Sequence, residues 1–182
     1  PSKYPIEPGY EAVGIVEKCG SKVTRFKTGE RVVTMGVHAE YVRVREAGAY
    51  RVPEHVKPEK ATLSVLGATA THGIKRGRIP YRGTVAIFGA GVLGCLLLQH
   101  AKCAGAGFVM VCDLNDGKLA VAGKLGADLT VNAAKESPSE KLLSAAGGFA
   151  DVAYEVSGGA PAAMEEALRA TQRRLKGKQI VL

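Results

Sequence analysis

Thr84-Val85-Ala86-Ile87-Phe88-Gly89-Ala90-Gly91-Val92-Leu93-Gly94 is the stretch on which the fold turns. Residues 84–88 are apolar and partly β-branched, as a strand covered on both faces should be. Gly89, Gly91 and Gly94 follow with G-x-G-x-x-G spacing, and residues 95–102 supply a largely apolar helix. Glycine suits each place: a sharp exit from the strand, a close backbone approach to a ligand, and tight packing of helix on strand. The unpaired N–H groups of Gly91, Val92 and Leu93 at such a helix start, with Ala90 in the turn, suit the diphosphate of a dinucleotide.

The spacing alone is weak evidence in a chain with 23 glycines. A second apolar run, residues 108–112, strengthens it by ending in Asp113. That acid falls about 20 residues past the turn, where a carboxylate would grip the adenosine ribose. Leu114 and Asn115 follow, with no Arg to receive a 2′-phosphate, so NAD is favoured over NADP. A strand–turn–helix without a ligand is the bland alternative, and Asp113 weighs against it.

Working outward, strands and helices alternate. Helical patterns cover residues 118–125 and 139–146, the latter capped by Ser139 and stopped by Gly147-Gly148, and a third covers 160–170. Strands are expected at 128–132, 151–156 and 179–182. Such alternation implies an α/β fold, a doubly wound parallel sheet of the Rossmann type with helices on both faces. Val156, Ser157 and Gly158 follow its fourth strand, at the edge where ligands bind.

Upstream, residues 5–50 read as short strands with glycine punctuation, at 12–18, 31–34 and 39–44, a partial β-barrel. Residues 52–58 form a proline-bounded linker. Helical patterning then runs from Pro58 to about Lys75, with breaks or kinks expected at Gly67 and Gly73. The division is therefore 1–57 for the barrel part and 58–182 for the dinucleotide-binding part.

Net charge is +8 over 182 residues, with one basic cluster at Arg173, Arg174, Lys176 and Lys178. Aromatics are few and not interleaved with it, which argues against nucleic acid and for a solvated surface that attracts anionic ligands. No apolar run is long enough for a membrane span, and the first residues carry no apolar signal core. Cys19, Cys95, Cys103 and Cys112 form no C-x-x-C pair and no zinc spacing with histidine. They read as reduced thiols of a cytoplasmic protein.

Taken together, several segments resemble the medium-chain dehydrogenase/reductase superfamily. They are residues 8–17 (PGYEAVGIVE), 26–32 (FKTGERV), 39–42 (AEYV), 67–70 (GATA), the glycine turn, 124–128 (KLGAD) and 155–158 (EVSG). The resemblance implies a GroES-like β-barrel catalytic domain before the Rossmann domain, an active site in the cleft between them, and hydride transfer between nicotinamide and an alcohol, carbonyl or activated alkene. It also implies further barrel strands before Pro1, and a sixth Rossmann strand after Leu182 that often makes the family's homodimer contact. The short link from residues 31–33 to 39–41 is similar to a compact branch that includes bacteriochlorophyllide dehydrogenase.

Departures from the family pattern bear on metal. Zinc members read Gly-His-Glu where this chain has Gly9-Tyr10-Glu11, and carry a ligand where it has Leu66. Tyrosine is a poor zinc ligand and leucine is none, so neither catalytic zinc nor any other metal site is expected. Thr69 resembles the family threonine near the nicotinamide, and it reads equally as a helix hydroxyl bonding its own backbone. Lys118 reads either as a basic neighbour of the ribose or as a solvated helix charge. Tyr10, His38 and His72 are candidates by position for stabilising or moving the alcohol proton. Each has packing or surface exposure as its alternative. A non-catalytic nucleotide-binding module is the rival to an enzyme.

Overall fold

The computed structural model describes residues 8–158, 161–171 and 179–181. The chain divides into two compact units, Pro1–Val65 and Leu66–Leu182. The expected basic cluster at Arg173, Arg174, Lys176 and Lys178, and residues Ala160 and Leu182 of expected elements, lie outside the described residues.

In the first unit, β1 (Ala12–Ile15), β2 (Arg31–Thr34) and β3 (Ala49–Arg51) form an antiparallel sheet in that order. The first strand is shorter than the expected 12–18. Val16 still accepts from Gly29 N–H at 2.8 Å and donates to Glu30 at 2.9 Å, after which the chain turns at Gly20. The expected strand at 39–44 is absent, and β3 stands later instead. Alternation supplies a face, but a strand also needs a backbone to pair with. Both edges of β2 are taken by β1 and β3. Tyr41 of that segment is 69% exposed. Small apolar clusters close this unit: Phe26, Val32 and Ala49 in one, and Val33, Val52 and Ala61 in the other. Ala61 belongs to the short helix α1 (Pro58–Ala61), so the linker residues pack with the sheet that precedes them.

α2 (Ser64–Gly77) follows a break at Thr62 and Leu63. The helix runs without a break through Gly67 and Gly73. Gly73 instead admits Leu97, which a Cβ there would meet at 3.2 Å, and a Cβ on Gly77 would overlap the Tyr154 hydroxyl. These glycines serve close packing, and the helix tolerates them because tertiary contacts outweigh their intrinsic cost.

The second unit alternates strictly: β4 (Thr84–Phe88), α3 (Val92–Cys103), β5 (Phe108–Asp113), α4 (Asp116–Lys124), β6 (Leu129–Asn132), α5 (Pro138–Ala146), β7 (Val152–Glu155), α6 (Pro161–Thr171) and β8 (Gln179–Val181). All strand pairs are parallel, in the order β6-β5-β4-β7-β8. The chain thus leaves β4 in both lateral directions, and the carboxyl ends of β4, β5 and β7 border the switch point.

Alternate strand residues divide the core. Val85, Ile87, Val109, Val111, Val152 and Tyr154 face Leu97, Leu98 and Ala101 of α3 and Leu119 of α4. Ala86, Phe88, Met110, Cys112, Val131 and Ala153 face Leu142 of α5 and Ala167 and Ala170 of α6. Ser137, not the expected Ser139, caps α5, and Gly147 ends it in the left-handed region. Pro138 explains the shift: it occupies the first helical position, where its missing N–H costs nothing. Ser139 instead donates its hydroxyl to Glu166 at 3.0 Å, tying α5 to α6.

Two substitutions test this packing. A Cβ on Gly94 would overlap the Gly89 carbonyl oxygen, so Gly94→Ala should lower the urea unfolding free energy by about 1–3 kcal/mol; an unchanged midpoint would contradict the packing. The buried Tyr154 hydroxyl has no hydrogen-bond partner among the described residues. Tyr154→Phe should therefore be neutral or stabilising by up to about 1 kcal/mol in the same assay. A clear loss would reveal a bond the hydroxyl makes.

Candidate functional site

The site is built around the turn from β4 into α3. Gly89 sits at φ +109°, and a Cβ there would meet the Val156 carbonyl oxygen at 2.8 Å and Ser157 Cα at 2.9 Å. Two backbone turns are therefore in contact, the glycine turn and the 156–158 turn that follows β7. Gly89 N–H donates to the Cys112 carbonyl, and Val156 N–H to the Phe88 carbonyl, both at 2.8 Å. Ala90 is 4% exposed, whereas Val92 is 55% exposed. Gly91, at the start of α3, has no side-chain cap, and nothing lies within 4 Å of where its Cβ would be. The first-turn N–H groups of Val92, Leu93 and Gly94 lack intrahelical acceptors by geometry.

Asp113 ends β5 with its carboxylate turned to this turn. Its Oδ2 accepts from Ala90 N–H at 2.8 Å and its Oδ1 from Asn115 N–H at 3.0 Å. Each carboxylate oxygen keeps a further lone pair for a ligand hydroxyl. Asn115 caps α4 by accepting from Lys118 N–H.

These residues open on a cavity of about 770 Å³, whose lining includes Gly89, Asp113, Leu114, Lys118 and Ser157. Residues 133–138 and Glu166 complete its far side. Asn132 holds two of its walls together. Its amide donates to Leu114 O at 3.2 Å and to Asp116 Oδ1 at 2.6 Å, and its Oδ1 accepts from Ala134 N–H. Lys135 pairs with Asp116 at 2.8 Å, which with the Asn132 bond holds that carboxyl below its usual range.

Glu155 is the second residue the sequence reading passed over. It is 7% exposed at the end of β7. Its Oε1 accepts from Ser157 N–H at 2.7 Å and from the Ser157 hydroxyl. The signal that found Asp113, an apolar strand ending in an acid, was present here too. Asn132 likewise ends an apolar strand in a polar side chain.

The other candidates fall two in each unit. Tyr10, 56% exposed, and His38 lie in the first unit, where residues 8–10 and 36–38 pair through Gly36 N–H to Tyr10 O and His38 N–H to Pro8 O, each 3.0 Å. The His38 ring covers Gly9. His72 and Thr69 are exposed on α2 in the second unit. Among the described residues no group of three or more His, Cys, Asp or Glu could hold a metal ion. No described helix is long and apolar enough to cross a membrane.

A parallel sheet in this order, with an acid-flanked glycine turn at its switch point, defines a dinucleotide-binding α/β protein. Comparison with known proteins narrows the class. The family model for the alcohol dehydrogenase GroES-like domain matches residues 1–54, and that for zinc-binding dehydrogenase matches residues 92–180. L-threonine 3-dehydrogenase of Bacillus velezensis is 32% identical over 198 residues, covering 92% of this chain. The chain spans 57% of that relative's length. A zinc-binding dehydrogenase of Clostridium scindens superposes with a TM-score of 0.86 at 29% identity, over 94% of this chain and 56% of its own. One from Sinorhizobium meliloti, bound to NADP, gives 0.85 at 27%, over 99% and 61%. The chain belongs to the medium-chain dehydrogenase/reductase superfamily.

Thiol chemistry reports on this site. Cys112 lines the cavity wall but is 3% exposed. Burial, and secondarily the Asp113, Glu166 and Glu155 carboxylates, push its thiol up to about 12, against a bond from Gly89 N–H that lowers it. Burial and Asp113 also raise Cys95, whereas Cys103 is exposed. Iodoacetamide at pH 8 should modify Cys103 first and leave Cys112 untouched until the chain unfolds. Because the folded thiol holds its proton more tightly, its contribution to stability should fade as pH rises from about 9 to about 12. Peptide mapping that finds Cys112 alkylated in folded protein would contradict this.

Proposed function

We propose that this chain is part of an NAD-dependent oxidoreductase that moves hydride between nicotinamide and an alcohol- or carbonyl-type small molecule. The single observation that carries the reading is the Asp113 carboxylate held on Ala90 N–H beside an uncapped helix start. In this reading Gly89, Ala90 and Gly91 shape a turn without obstructing side chains, and the first-turn N–H groups of α3 from Val92 to Gly94 hold the diphosphate, since the N–H groups of Gly89 and Ala90 already go to Cys112 and Asp113. Asp113 takes the ribose hydroxyls, and its negative charge disfavours a 2′-phosphate, so NAD is preferred to NADP. Leu114 and Lys118 border the adenosine side of the cavity. Ser157 also lines it, held between Val156 and Gly158 in the turn after β7, and Thr69 is assigned to the nicotinamide end. When bound, the cofactor supplies the hydride chemistry, and the protein orients it and the substrate.

The alcohol class is supported by the alcohol dehydrogenase-type family model and by a relative named for threonine oxidation. Catalytic zinc does not fit the described donor set, with Tyr10 and Leu66 at the family's ligand positions, so no step is assigned to a metal. Proton transfer then falls to side chains, with Tyr10, His38 and His72 as its candidates. The same lack of a metal donor set favours one rival, a nucleotide-binding module without turnover.

NADH fluorescence titration, followed by a turnover screen over alcohols, aldehydes and quinones, separates the readings. Binding with turnover is the expected result; binding alone supports the rival. Absence of binding to either NADH or NADPH ends both. Gly91→Ala fills open space at a helix N-cap, so it should lower the unfolding free energy by no more than about 1 kcal/mol yet weaken NADH about tenfold or more. Asp113→Ala should weaken NADH by about tenfold and narrow its preference over NADPH.

A further inference from the structure

Within the second unit, Glu155 is the buried acid to which the proposed chemistry gives no role. Burying a carboxylate costs several kcal/mol unless its oxygens are occupied. Here one oxygen takes both donors of Ser157, the backbone N–H and the hydroxyl. Ser157 Cα and N lie 2.9 Å from where a Cβ on Gly89 would stand. The carboxylate thus anchors the very residue that presses on the glycine turn. Glu155 itself pairs in register with Phe88, the last residue of β4 before that turn.

We propose that Glu155 is a positioning residue that, through Ser157, fixes the 156–158 turn against Gly89 and so sets the crevice that receives a dinucleotide. This rests on the dinucleotide reading above. A carboxylate can only accept, so the Ser157 hydroxyl spends its proton on Glu155. Toward the cavity it offers lone pairs alone. Ser157 therefore meets ligand donors, such as a sugar hydroxyl or an amide N–H, and repels phosphate oxygens. That confines the diphosphate to the helix start on the other side of the turn.

The test compares the full chain with Glu155→Ala, Glu155→Gln and Ser157→Ala. Three readouts are needed: NADH affinity, AMP affinity, and amide hydrogen exchange over residues 155–158. AMP reports on the Asp113 side, where Glu155 has no part. Glu155→Ala should weaken NADH about tenfold while AMP changes by less than about twofold. Glutamine keeps a carbonyl acceptor, so Glu155→Gln should stay within about threefold of wild type for NADH. Exchange at Ser157 should rise about tenfold in Glu155→Ala and not in Glu155→Gln. If Glu155→Ala fails to fold, Ser157→Ala replaces it, with NADH expected about threefold weaker and AMP unchanged.

Equal losses of NADH and AMP, or NADH binding as in wild type, overturn the proposal. So does Glu155→Gln behaving like Glu155→Ala, since charge and not acceptance would then matter. Wild-type protein that binds neither NADH nor NADPH overturns the cofactor reading instead. The exchange arm then decides the anchor on its own, and unchanged exchange at Ser157 sinks it.

Discussion

Backbone packed on backbone at the end of β4 is the constraint from which the rest of the second unit follows. Gly94 rests on the Gly89 carbonyl, and Gly89 rests on Val156 and Ser157. No side chain fits in either contact. With that space closed, α3 can begin only where it does, without a side-chain cap and at the carboxyl end of β4. The neighbouring strands then bring their terminal polar groups to the same edge: Asp113 from β5, Asn132 from β6 and Glu155 from β7.

Each of those groups satisfies backbone donors or acceptors first. Asp113 accepts from Ala90 and Asn115, Asn132 bonds Leu114 and Ala134, and Glu155 accepts from Ser157. Buried or half-buried polar groups at strand ends would otherwise be a liability. Here they fix three loops relative to one another before any ligand arrives. A preorganised edge of this kind lowers the ordering cost of binding.

The two units differ in how much holds them together. The second has five parallel strands with helices on both faces, and its central residues are fully buried. The first is a three-stranded antiparallel sheet whose clusters contain few buried residues, among them Phe26 under the guanidinium of Arg51. Tyr10, Ile15, Met35, Tyr41 and Tyr50 are all more than half exposed there. The chemistry proposed for this unit accordingly rests on sequence position, while the proposed cofactor roles of Asp113 and the glycine turn also rest on their hydrogen bonds and packing.

The sequence by itself determined the α/β alternation, the glycine turn and Asp113, because periodicity, glycine spacing and an acid at a strand end are local signals. It also marked Gly147 as a helix stop and Arg31–Thr34 as a strand. Only the tertiary structure decided whether alternation at 39–44 found a partner, whether Gly73 interrupted its helix or admitted Leu97, and which serine capped α5. Those outcomes depend on atoms distant in sequence. Glu155 belongs to the same group: its acid was legible, but its task became visible only once β7 lay beside β4 and brought Ser157 onto Gly89.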